Sequence, residues 1–189
     1  MRKIDPLGES VVIIVDTSLS MRERDFKPNR LEVEKRVTKR LAISLLERDR
    51  PTLVGIVGFY RWGYPLLSLT SDVNEVLQVI DEIQIMGEAS APGDALEKAI
   101  NMLLVLSPPG FSRRIILITD GTFNEGVPPD IIARYAQRVG IIIDVLSFGK
   151  LTRYDREVIE RIVRYSGGEW LHAQDEQAVS YPHLTLPTN

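Results

Sequence analysis

The chain has 189 residues, of which 44% are hydrophobic and 26% charged, and its formal net charge is −3. A mostly disordered chain is excluded, and one domain of this length buries roughly 70% of its unfolded surface. With no cysteine and only His172 and His183, disulfides, thiol nucleophiles, Cys-type zinc sites and most His-based metal sites drop out, and the acidic balance argues against direct binding of nucleic acid.

Val11 to Val15 is continuous and β-branched, as in a strand buried on both faces. Apolar runs of this length are far too short to cross a bilayer, and the first residues lack the order of a signal peptide. The expectation is therefore a cytoplasmic protein with no membrane partner. A polar loop with Pro28 follows, then a helix over about 30–46, with Val33, Val37, Leu41 and Leu45 in one row. Leu53 to Phe59 reads as the next strand. Tyr60 to Tyr64 turns the chain with Gly63 as hinge, and Leu66 to Leu69 pairs back as an antiparallel edge.

The spacing of Val73, Val76, Leu77 and Ile80 predicts a helix over about 72–83, capped by Thr70, Ser71 or Asp72. A loop from Gly87 to Gly93 leads into a third helix, about 94–106, stopped by Pro108-Pro109-Gly110. Ile115 to Thr119 is another buried strand, broken by Asp120-Gly121. A helix over about 129–139, a strand over 141–148, a helix over about 153–166 ended by Gly167-Gly168, and a short strand over 170–173 complete the pattern. This order predicts an α/β fold: a three-layer, Rossmann-like, doubly wound, mostly parallel six-stranded sheet with one antiparallel edge strand. The domain is expected to occupy 1–179, with a sixth helix beginning near Asp175. Residues 180–189, with two prolines and no helical period, read as a disordered or cloning-derived tail.

In a parallel α/β sheet, ligands sit beyond the carboxyl ends of the strands, best where strand order reverses. Asp16 and Asp120 both fall at such ends. If their strands are neighbours, two carboxylates converge on one crevice, and both stay ionised at low cost only with a cation between them. Ser18 and Ser20 add hydroxyls from one loop, and Ser90 could add a third. An all-oxygen set of this kind suits Mg²⁺ or Mn²⁺ better than zinc. The plainer readings stay open here: Asp16-x-Ser18-x-Ser20 as turn chemistry, Asp120-Gly121 as a turn, and Ser90 as a helix cap.

Asp16-Thr17-Ser18-Leu19-Ser20, the Ser90 loop before Gly93-Asp94-Ala95-Leu96, and Thr119-Asp120-Gly121 resemble the metal-ion-dependent adhesion site of von Willebrand factor A domains. The likeness covers roughly Ser10 to Val179, with serine at position 90 where that family usually has threonine. Asp25-Phe26-Lys27-Pro28-Asn29-Arg30-Leu31 is similar to a segment of the von Willebrand A-like subunit of the TFIIH core, which contacts a helicase. Asp144 to Gly149 is similar to the ubiquitin-receptor subunit of the proteasome. Those relatives have an eroded metal motif, whereas here it is complete. The resemblance implies a non-enzymatic binding module in which Ser18, Ser20 and Ser90 coordinate Mg²⁺ or Mn²⁺ directly. Asp16 and Asp120 bind directly or through water, and a protein partner donates an Asp or Glu. By the same resemblance, that partner belongs to an ATPase or helicase-type complex.

Asp25, Pro28, Asn29, Arg30, Tyr60 and Trp62 form a candidate partner surface, because aromatics and arginine are enriched at interface hot spots. The plainer reading makes Asn29 a helix cap and packs the aromatic turn on the sheet edge. Two rival functions remain: a Mg²⁺-dependent phosphoester hydrolase using Asp16 and Asp120, and a metal-free scaffold. The first lacks a phosphate-cradling glycine loop and a plausible His base, His172 being read as a structural strand residue.

Overall fold

The computed structural model describes residues 5–173. The expected sixth helix and the 180–189 tail lie outside the described residues. Six strands form one sheet: β1 (Gly8–Asp16), β2 (Thr52–Phe59), β3 (Gly63–Thr70), β4 (Phe111–Thr119), β5 (Ile141–Phe148) and β6 (Trp170–Ala173), in the order β3-β2-β1-β4-β5-β6. Every pairing is parallel except β2 with β3, so the antiparallel edge falls where it was expected.

Five helices cover the sheet: α1 (Arg30–Leu46), α2 (Val73–Glu82), α3 (Pro92–Leu106), α4 (Pro129–Arg138) and α5 (Arg153–Ser166). The side-chain alternation of β1 divides the core. Val11, Ile13 and Val15 pack with α1 and α2, while Val12 and Ile14 pack with α3, α4 and α5. Both faces of the central strand are thus closed, which is why its sequence is an unbroken apolar run rather than an alternating one.

The chain builds β2 and β3 on one side of β1, then returns to place β4 on the other. The crevice between β1 and β4 is therefore the topological switch point. Ile14 lies opposite Leu117, so two residues further on Asp16 comes level with Thr119, immediately before Asp120.

Some boundaries differ from expectation, each for a local reason. β4 begins four residues earlier than its apolar run, because Phe111 to Arg114 pair with β1 while their side chains stay half-buried. α3 begins at Pro92, whose ring suits the first helical turn. A one-turn 3-10 helix, Leu19–Arg22, follows β1 and buries Met21. Gly63 is not a hinge: it is the first residue of β3, and a Cβ there would lie 2.5 Å from the Ala95 Cα. Close approach to α3, not backbone freedom, requires glycine at that position.

Candidate functional site

Three loops meet above the carboxyl ends of β1 and β4. Asp16 ends β1 and is fully buried. The Ser18 backbone N–H donates to its Oδ1 at 2.9 Å, which folds the loop back over the strand end. The Ser18 and Ser20 hydroxyls lie 2.9 Å apart, on the same side of the chain as spacing by two predicts. The main chain of Ser18 also pairs with Gly87, and the Met86 N–H donates to the Thr17 carbonyl at 2.9 Å, so the 85–91 loop is fastened beside the motif.

Ser90 does not cap α3. The cap position is Ala91, with no side-chain cap bond, and the Ser90 hydroxyl is buried with no partner among the described residues. Its main chain is held instead: the Asn124 Oδ1 accepts from the Ser90 N–H at 2.8 Å, and the Ser90 carbonyl accepts from the Asn124 and Glu125 N–H groups. Ser18, Ser20, Ser90, Thr122 and Asn124, with Leu19, Glu88 and Ala89, line one open hollow of about 190 Å³.

Asp120 sits just past β4. Its Oδ1 accepts from the Thr122 N–H and hydroxyl, and Gly121 between them takes φ +91°, which a side chain would resist. Its Oδ2 accepts from Arg30 Nη1 at 2.9 Å. Arg30 in turn donates Nε and Nη2 to the two oxygens of Asp25, whose carboxyl is held below the usual range by that bonding.

Sequence reasoning missed Glu34. This α1 residue is 1% exposed, and its Oε1 accepts the Asp16 backbone N–H at 2.8 Å. Its other oxygen is buried without a partner among the described residues, as is Asp16 Oδ2. Burial, then the neighbouring Asp16, pushes the Glu34 carboxyl well above its ordinary range. Burial, then Asp120, raises Asp16 to about 8. A signal was available: Glu34 lies three residues from both Leu31 and Val37, on the apolar stripe where a charge is out of place.

Among the described residues, no three or more His, Asp and Glu side chains are grouped to hold a metal. The Ser18, Ser20 and Ser90 side chains share the hollow, and Asp16, bonded to the Ser18 N–H at the strand end, feels the charge of Asp120. They nonetheless fit a hard divalent cation, because Asp16 Oδ2 and Ser90 Oγ are buried acceptors left unanswered. A divalent cation held there would offset the burial and the Asp120 charge that raise the Asp16 carboxyl.

The expected partner surface separates into two parts. Asn29 is the α1 cap, its Oδ1 accepting from the Glu32 N–H at 2.9 Å. Arg30 turns inward to Asp120, with Asp25 partly exposed at its outer end, so this pair belongs to the rim of the site. Pro28 lies in the exposed loop before Asn29, where the Lys27 carbonyl accepts from Arg36. The Tyr60 and Trp62 rings pack at a tilt of 53° with centroids 4.8 Å apart, and half of Trp62 faces solvent. On the neighbouring strands, Ser147 and His172 share a 2.9 Å hydrogen bond, but Ser147 is fully buried and accepts from Trp170 Nε1, which is a structural use of the pair.

Residues 11–122, more than half of the 189-residue chain, match the family model of the von Willebrand factor type A domain. The chain belongs to that family. It is similar to a UPF0353 protein of Nocardia farcinica (strain IFM 10152), 26% identical over 98% of this chain and 64% of that protein. A UPF0353 protein of Mycolicibacterium gilvum (strain PYR-GCK) is 27% identical over 84% of this chain and 53% of its own length. The chain thus spans between half and two-thirds of these curated relatives.

Among solved structures, the conserved hypothetical protein BatB from Bacteroides thetaiotaomicron aligns with TM-score 0.77 and 26% identity, covering 92% of this chain and 98% of that one. The SpRpn10 VWA domain shares the fold at TM-score 0.78 and 17% identity, over 93% and 96% of the two chains. So does proximal thread matrix protein 1 from the mussel byssus, solved with a zinc-occupied MIDAS motif, at TM-score 0.77 and 19% identity over 93% and 43%. No helix among the described residues is long and apolar enough to cross a membrane. The finer likeness to the TFIIH subunit rests on the sequence segments alone.

Proposed function

We propose that this chain is a metal-dependent protein-interaction module and not an enzyme. Mg²⁺ or Mn²⁺ sits at the β1–β4 switch point, held by Ser18, Ser20 and Ser90 with Asp16 and Asp120, directly or through water. An Asp or Glu of a protein partner completes its sphere. The observation that carries this reading is the pair of buried, unanswered acceptors, Asp16 Oδ2 and Ser90 Oγ, beside a hollow lined by Ser18 and Ser20. An entering carboxylate meets a partly desolvated cation, where charge-assisted attraction exceeds its value in water. The cation supplies Lewis acidity and charge; the chain's own residues orient it and keep one side open.

Leu19 lines that opening and Met86 lies on the 85–91 loop fastened beside it, exposed by 37 and 55%. They suit a partner segment that carries apolar side chains next to its acidic residue. By the resemblance of 25–31, the partner is assigned to an ATPase or helicase-type machine in which this chain acts as a scaffold or regulator. That zinc fills the equivalent motif in the mussel protein supports a divalent ion without selecting one.

A specific observation favours a metal-free scaffold as second reading: Arg30 already places a positive charge on Asp120. Thermal melting separates the two. Mg²⁺ or Mn²⁺ that raises Tm progressively with the logarithm of its concentration above Kd, with no effect on Asp16→Ala, supports the first reading. An unmoved Tm, with a partner still retained in EDTA, supports the second.

A further inference from the structure

Glu34 lies outside every motif that the family likeness supplies, yet it is tied to the heart of the site. Its Oε1 holds the Asp16 backbone N–H at 2.8 Å, and its Oε2 is fully buried with no partner among the described residues. The charges of Asp16 and Asp120 both act on its carboxyl. Against these three acidic groups stands Arg30, whose guanidinium is shared with Asp25, and Lys35, which bonds the Asp81 carbonyl and faces Glu32. A neutral glutamine at 34 would satisfy the Asp16 N–H equally well. A carboxyl there, once ionised, adds a buried negative charge with one oxygen that has no hydrogen-bond partner among the described residues, which is costly unless a cation stands in front of Asp16.

We infer that Glu34 is a positioning residue for the divalent cation: it fixes the main chain of Asp16 so that the carboxylate faces the serine hydroxyls, and its negative charge behind Asp16 strengthens the hold on a dication. This rests on the metal-site reading above. It assigns to α1 a part in metal affinity that the loop motif alone does not contain, in the way that groups behind a metal's ligands tune affinity elsewhere.

The test is isothermal titration of Mg²⁺ into the full chain and into Glu34→Gln, with metal-free thermal melting of both. Glu34→Gln keeps the acceptor and the shape and removes only the charge. The expected result is a Mg²⁺ affinity lower by roughly tenfold or more, with metal-free Tm unchanged or raised. A purely structural Glu34 would give the reverse, a lower metal-free Tm with an affinity loss of less than about tenfold, and that overturns the inference. If Glu34→Gln does not fold, Glu34→Met is titrated the same way. Wild-type protein that takes up no Mg²⁺ defeats the site reading itself, whereas wild-type binding with an unchanged Glu34→Gln isotherm defeats this inference alone.

Discussion

The two ends of the sheet both bury acidic side chains, and they treat them oppositely. At the amino end, Glu9 on β1 and Asp144 on β5 are 6 and 3% exposed. Every one of their oxygens is answered: Arg114 donates to Glu9 and to Asp144, Arg48 donates to Glu9, and the Glu169 N–H donates to Asp144. At the carboxyl end, Asp16 and Glu34 are as deeply buried, yet each keeps an oxygen with no partner among the described residues. Closed networks of buried charge hold strands in register. An open one, at the switch point of the sheet, is where the proposed cation would bind.

The strongest way to break that contrast is to remove a charge at each end. Arg114→Ala strands two buried carboxylates, so it is expected to cost about 3–5 kcal/mol in urea unfolding while leaving the Mg²⁺-induced rise in Tm intact. Loss of that rise would mean that the two ends are not independent.

Asp16→Asn has the opposite sign. It removes a buried carboxyl with one oxygen that has no partner among the described residues, so metal-free stability should hold or rise. The metal-dependent gain, about 2.7 kcal/mol for a ligand at one hundred times its Kd, should vanish. A metal-free protein clearly destabilised by Asp16→Asn would place the residue among the scaffold groups, beside Glu9 and Asp144.

A pH series sharpens the comparison without mutation. Asp16 is raised from 3.8 to about 8, by burial first and Asp120 second, and Glu34 is raised as well. A carboxyl whose folded pKa is raised binds its proton more tightly in the native state. Its stabilising effect is complete below the unfolded value and is lost as pH climbs toward the folded one. Metal-free Tm should therefore fall between about pH 4 and pH 8, and saturating Mg²⁺ should flatten that fall by holding Asp16 ionised. A profile identical with and without Mg²⁺ would leave the carboxyl end closed to cations.

Much of this arrangement was legible in the sequence, and the gaps have physical causes. Buried strands announced themselves as unbroken apolar runs, and Asp16 and Asp120 stood out because each follows such a run directly. The polar start of β4 was not visible, since Ser112, Arg113 and Arg114 join the sheet by backbone pairing and by ion pairs that periodicity does not register. Glu34 was passed over because a helix reading follows the apolar row and treats the charges between as solvated. Arg30 read as surface because its partner, Asp120, is brought to it only by the return of the chain to β4. Whether Ser90 was a cap or a free hydroxyl depended on where α3 begins, and Pro92 at the first turn decided it.

The smallest expected difference lies between two serines. Ser107 donates its hydroxyl to Ser10 at 2.8 Å inside the amino half, and Ser107→Ala leaves Ser10 buried and unsatisfied, at about 1–2 kcal/mol. Ser90 has a hydroxyl equally hidden and no bond to lose, so Ser90→Ala should leave metal-free unfolding within about 0.5 kcal/mol of wild type. Only the Mg²⁺-dependent gain should shrink. Ser90→Thr keeps the oxygen and stiffens the side chain, so it should retain that gain. If Ser90→Ala instead costs as much as Ser107→Ala while the Mg²⁺ response stays whole, the Ser90 hydroxyl is a packing group and the cation must be held by the β1 loop and Asp120 without it.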